Sequence, residues 1–167
     1  MFVLVMGVTG CGKSTSGQLL AQRLGLGFHD ADAYHSPENR AKMAADRALD
    51  DADRWPWLEQ LAALAALWER QGGAVLACSA LKQAYRDVLL ARVADPRVVY
   101  LELPRAEAER RLEARRGQHA IVRDYARVLD GQYRDLEAPT DALIVSAELS
   151  PAAIVEQAAA YVMRLNQ

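Results

Sequence analysis

The chain has 167 residues, of which 51% are hydrophobic and 25% charged, and its formal net charge is −2. That is one domain's length with enough apolar content for a packed core, which argues against disorder, and it lacks the basic excess of a bulk nucleic-acid or membrane binder. Its two cysteines, Cys11 and Cys78, form no CxxC pair, so neither a zinc site nor a redox motif has support, and no disulfide is expected.

In chain order, the first apolar run is Phe2–Met6. It is too short for a signal-peptide core or a membrane span. It leads straight into a glycine-rich loop and reads as a buried strand, in a protein expected to be cytoplasmic. Further short apolar runs predict strands at Leu26–His29, Ala74–Cys78, Val98–Leu103 and Ala142–Val145. None alternates strictly, as expected where helices cover both faces of a sheet. Helical patterns fill the gaps. One runs from Lys13 to Leu24 and ends at Gly25. Another carries Trp57, Leu61, Leu64 and Trp68 toward Gly72-Gly73, with Pro56 near its start, where proline is tolerated. Leu81 to Val93 and the highly charged Arg105 to Arg115 are two more, and Ser150-Pro151 reads as the cap and first residue of the last helix. The least regular stretch, Gly117 to Gly131, reads as a mobile lid. The alternation predicts a single α/β domain over 1–167, a three-layer sandwich built on a five-stranded, mainly parallel sheet.

Gly7-Val8-Thr9-Gly10-Cys11-Gly12-Lys13-Ser14 matches G-x-x-x-x-G-K-[ST] in full, between a strand and a helix. Such a loop curls its backbone N–H groups toward phosphate oxygens, and the helix N-terminus adds free donors and a positive dipole end. Gly7, Thr9, Gly10, Cys11, Gly12, Lys13, Ser14 and Thr15 are therefore the candidate nucleotide-binding residues. Lys13 reaches the β- and γ-phosphates, and the Ser14 hydroxyl is a ligand for Mg²⁺. Cys11 reads as a small filler rather than a nucleophile. The motif predicts an ATP-dependent phosphotransferase.

Asp30 and Asp32 follow the second strand, at the edge where parallel sheets bind ligands. One carboxylate suits the Mg²⁺ shell (Asp30), and the other suits proton acceptance from an attacking hydroxyl (Asp32). Capping and turn formation are the alternative roles for both. The third strand ends Leu76-Ala77-Cys78-Ser79 without an aspartate, which argues against a motor or GTPase.

Several blocks then resemble the gluconokinases, small P-loop kinases similar in fold to shikimate kinase: Phe28-His29-Asp30-Ala31-Asp32-Ala33-Tyr34-His35, Glu38 to Met43, Leu49 to Leu58 with its Asp-Arg-Trp-Pro-Trp-Leu core, Ala77 to Lys82 with Tyr85-Arg86-Asp87, and Gln132 to Pro139. The resemblance implies phosphorylation of D-gluconate by ATP with Mg²⁺. It implies Asp32 as the catalytic base, and His35, Arg54, Lys82 and Arg86 as further acceptor contacts. It implies Arg111 and Arg115 as phosphate-contacting arginines, with Arg115 joining Lys13 and Asp32 in catalysis. It also implies a homodimer. Taken alone, the arginines equally suit a surface ion pair at Arg54 and a solvated helix face at Arg111 and Arg115. The lid departs from the family pattern: Gly117 to Ala126 runs a few residues longer, with His119 shifted by one. A kinase of another small hydroxy acid or polyol, such as shikimate, is therefore the rival reading, and a non-catalytic ATP-binding module is the reading from a different class.

Overall fold

A computed structural model describes residues 1–45, 47–115 and 125–164. The five strands are β1 (Phe2–Met6), β2 (Gly27–Asp30), β3 (Ala74–Ala77), β4 (Pro96–Glu102) and β5 (Leu143–Ser146). They lie in the order β2-β3-β1-β4-β5, and every pairing is parallel. The expected sheet, mainly parallel, is thus wholly parallel among the described residues. Each strand lies within two residues of its predicted position. Seven α-helices accompany them among the described residues: α1 (Lys13–Leu24), α2 (Pro37–Ala44), α3 (Asp51–Arg70), α4 (Gln83–Leu90), α5 (Arg105–Arg115), α6 (Tyr125–Asp135) and α7 (Pro151–Arg164).

The three layers follow from the pleat of the central strand. Successive side chains of a strand point to opposite faces. Val3 and Val5 of β1 accordingly join one core cluster with Leu20, Leu112, Leu129 and Ile154, from α1, α5, α6 and α7. Phe2, Leu4 and Met6 join a second with Trp57, Leu61, Tyr85 and Leu89, from α3 and α4. All five β1 residues are buried, which is why no alternation of polar and apolar residues marks this strand.

Three predicted boundaries change. α3 starts at Asp51, not near Trp57, because Asp50 and Asp53 form a reciprocal capping box. Pro56 consequently sits inside the helix. α4 is shorter than Leu81–Val93, since Lys82 is extended and forms its N-cap. Residues 125–131 belong to α6, so the stretch expected as a lid to Gly131 ends in a regular helix. The first part of that lid, 117–124 with His119, lies outside the described residues.

The order β2-β3-β1-β4-β5 makes β1 the strand from which the chain departs to either side. A crevice at the C-terminal ends of β1 and β3 is the consequence. The loop after β1, the Asp30 end of β2 and the Cys78-Ser79 end of β3 all open onto it.

Candidate active site

The glycine loop closes between β1 and α1 with Gly10 and Gly12 in the left-handed region, at φ 86° and 89°. Gly7 is required for space as well. A Cβ there would stand 2.7 Å from both the Cys11 sulfur and the Leu101 carbonyl oxygen. Cys11 is buried in the core, consistent with a filler. The Lys13 ammonium donates to the Val8 carbonyl at 2.9 Å, folded back over the loop it would serve. Ser14 and Thr15 are exposed at the start of α1.

The Ser14 hydroxyl donates to Asp30 Oδ2 at 2.6 Å. Asp30 also accepts from the Asp32 backbone N–H at 3.1 Å, capping a 3-10 turn at Ala31–Tyr34. Asp30 therefore has the capping role, and its second carboxylate oxygen faces the Ser14 hydroxyl. Two hard oxygen donors side by side at the phosphate loop fit Mg²⁺, which keeps several waters and shares its shell with phosphates. Among the described residues no group of three or more His, Cys, Asp or Glu is arranged to hold a metal, so phosphate and water would have to complete the shell.

The turn carrying Asp32 is fixed from beneath. Trp57 Nε1 donates to the Ala31 carbonyl at 3.1 Å, and Arg40 donates to the carbonyls of Ala33 and His35. Asp32 itself projects into solvent, with 85% of its side chain exposed. His35 Nε2 lies 3.9 Å from Asp32 Oδ1, while its ring is buried and stacked on Trp57 at 4.2 Å. Burial pushes the His35 pKa below its ordinary value; Asp32 opposes that shift, and Arg54 and Arg40 reinforce it. The ring is therefore neutral at pH 7. The buried Cys78 thiol, pushed up to about 12 chiefly by desolvation, also senses Asp32, Lys13 and Asp30, which shows how closely these groups converge.

A second cluster lies across α3 and α4. Lys82 Nζ donates to Asp51 Oδ1 at 3.2 Å, and the Tyr85 hydroxyl donates to the same oxygen. These two hydrogen bonds, Tyr85's first, hold the Asp51 carboxyl below its usual range. Arg54 and Lys82 both lie over the Tyr85 ring, at 5.5 and 5.3 Å from its centroid. Half-buried Arg54 is thus no isolated surface ion pair: it is packed on an aromatic ring and close enough to His35 to bias its titration.

Arg86 differs from the expected acceptor contact. It is 3% exposed, and its guanidinium donates to the carbonyls of Ala80, Leu81 and Glu137 and to Gln83 Oε1, at 2.7–2.9 Å. Both terminal nitrogens of the fork are thus engaged within the protein, and the group is buried. It holds instead the loop after β3, where Ala80 adopts φ 42°, an uncommon conformation for a residue other than glycine. Arg86 therefore supports the loop that presents Lys82.

On the far side of the phosphate loop, Arg111 donates to the Gly10 carbonyl at 3.3 Å, the Ala147 carbonyl at 2.7 Å and Glu107 Oε1 at 2.8 Å. It is docked on the loop rather than part of a solvated face. Arg115 is exposed in the last turn of α5. Gln132 of α6, which the sequence marks only as the start of a family block, exchanges two hydrogen bonds with Thr9. Its Oε1 accepts from the Thr9 N–H at 2.7 Å, and its Nε2 donates to Thr9 Oγ1 at 2.9 Å. No local pattern forecasts a contact between residues 123 positions apart.

The family model for shikimate kinase matches residues 9–162. A gluconokinase from Gluconobacter oxydans is 40% identical over 164 residues, spanning 93% of this chain and 88% of its own length. The chain belongs to the gluconokinase family. The thermoresistant gluconokinase of Escherichia coli is 36% identical over 152 residues, covering 87% of this chain and 83% of that protein. The crystal structure of a gluconokinase from Sinorhizobium meliloti superposes with a TM-score of 0.84 at 35% identity, over 98% of this chain and 91% of the other. Family membership thus accounts for the sequence blocks around Asp32, Arg54 and Lys82.

Proposed function

We propose that the protein transfers the γ-phosphoryl group of ATP to D-gluconate, giving 6-phosphogluconate and ADP. The observation that carries this reading is the exposed Asp32 carboxylate on a fixed turn whose Asp30 faces Ser14 of a complete phosphate loop, with Arg54 near enough to His35 to bias its titration.

The loop N–H groups, the α1 N-terminus and Lys13 hold the β- and γ-phosphates. Ser14, with Asp30 behind it, would hold Mg²⁺, and that ion would supply positive charge to offset the charge of the phosphates. Asp32 accepts the proton of the acceptor hydroxyl as that oxygen bonds to the γ-phosphorus and the bond to ADP breaks. Neutral His35, stacked on Trp57, forms the buried wall beside Asp32. Arg54, with its planar donor fork, suits the gluconate carboxylate, and Lys82 suits a hydroxyl or the same anion. Arg111 and Arg115 neutralise charge that spreads over the phosphoryl oxygens during transfer. Residues 1–167 act in this account as one kinase domain.

No described helix is long and apolar enough to cross a membrane. A cytoplasmic setting agrees with two free, buried thiols at Cys11 and Cys78. The homodimer implied by the family is part of the reading and is checked by sedimentation.

The test is ADP release from Mg-ATP with D-gluconate, its epimers, shikimate, glycerate and nucleoside monophosphates. Release with gluconate alone is expected. Release with another acceptor would move the specificity while keeping the kinase, and ATP binding without release for any acceptor would favour the non-catalytic module.

A further inference from the structure

Gln132 is held more firmly than a helix-surface amide needs to be. It is half-buried on α6, and both polar atoms of its side chain are tied to one residue of the phosphate loop. A primary amide has two N–H donors. One goes to Thr9 Oγ1, and the other has no partner among the described residues. The position of Thr9 says what that donor is near. The Lys13 ammonium, the group that serves the β- and γ-phosphates, rests on the carbonyl of Val8, the residue next to Thr9. Ser14 and Asp30 lie at the loop's other end. Thr9 thus lies next to the residue on which the phosphate-serving ammonium rests, and its own N–H is already committed to Gln132 rather than free for phosphate.

We infer that Gln132 is a γ-phosphate contact: its amide is oriented by Thr9, and its remaining N–H donates to an oxygen of the phosphoryl group that is transferred. The inference rests on the phosphate-loop reading above. It assigns to α6 the task that the loop's own Thr9 N–H cannot perform, and it makes the nucleotide's terminal phosphate the link between the loop and that helix. ADP, lacking that phosphate, would leave the donor unused.

Gln132→Glu separates orientation from contact. A carboxylate of the same shape still accepts from the Thr9 N–H and hydroxyl, so the tie survives, but it has no donor for phosphate. Binding of Mg-ADP and of Mg with a non-hydrolysable β,γ-imido analogue of ATP is measured by calorimetry on the full chain, together with the melting temperature. The melting temperature and the ADP affinity are expected to stay near wild type, while the analogue binds roughly tenfold to a hundredfold more weakly, the usual size of a hydrogen bond to a charged group. Gln132→Met tests the same donor without adding charge and is expected to show the same bias against the analogue. Equal weakening of ADP and analogue, or no weakening of either, would overturn the inference and leave Gln132 a structural tie. A wild-type protein that binds neither nucleotide would overturn the phosphate-loop reading itself, and the inference with it.

Discussion

At its C-terminal end the phosphate loop is held by near neighbours: Lys13 reaches back five residues to Val8, and Ser14 reaches Asp30, 16 positions on. At Thr9 and Gly10 the same loop is held by Gln132 and Arg111, 123 and 101 positions away. Of the first set, the Lys13 contact lies within the strand–loop–helix junction itself, and the Ser14 contact adds only the end of the next strand, β2. The second set exists only once α5 and α6 have packed against the loop. The loop's ability to bind phosphate is therefore a local property, whereas the setting of its outer turn is a property of the whole fold.

The largest effect that sharpens this contrast is expected at the local end. Lys13→Ala should lower kcat by about 10³-fold or more, because it removes the cation facing the charge that develops on the γ-phosphate. Circular dichroism and the melting temperature should stay close to wild type. Near-normal turnover in a coupled ADP assay would break the assignment of the loop.

The two arginines of the acceptor side extend the same comparison. Arg86 is enclosed, and losing it strands the carbonyls of Ala80, Leu81 and Glu137. Arg86→Met should therefore destabilise the protein by about 2–4 kcal/mol in denaturant titrations. Arg54→Met should change stability by less than about 1 kcal/mol. It should instead raise the KM for gluconate by roughly tenfold or more, the loss of a charged hydrogen-bonding fork. A reversal of these two outcomes would exchange the roles given to them.

The smallest effect concerns His35. Its pKa is lowered in the folded protein by burial, so the unfolded chain binds the proton more readily. The stability that its neutral form contributes is present above pH 6.5, the ordinary value, and is lost as pH falls through the lower folded value. His35→Phe, which keeps a ring on Trp57 but cannot titrate, should flatten the fall in melting temperature below pH 6.5. His29, also lowered by burial, retains part of the slope. An unchanged slope would mean that His35 does not titrate in this range.

What the sequence made readable follows the same division between local and long-range. Gly7 to Ser14 can be recognised without a fold, since spacing and flanking patterns carry the argument. The strands are visible as short apolar runs because burial on both faces demands continuous apolar residues. The start of α3 was hidden because Trp57 and Leu61 draw attention to the apolar stripe, while the true beginning is a polar capping box at Asp50 and Asp53. Arg86 carries the right charge for an acceptor contact, and only its enclosure by carbonyls tells it apart from Arg54. Gln132 lies in a recognisable block, but a neutral amide announces nothing until its partner is known.

The central claim is that a kinase acts here through the phosphate loop and the Asp32 carboxylate, and single-turnover phosphoryl transfer by Asp32→Asn tests it most directly. With Mg-ATP and D-gluconate, the variant should bind nucleotide as wild type does and transfer the phosphoryl group about 10²–10⁴-fold more slowly, the usual contribution of a positioned general base. Transfer at the wild-type rate would contradict the account, because the exposed carboxylate beside the loop would then have no part in the chemistry.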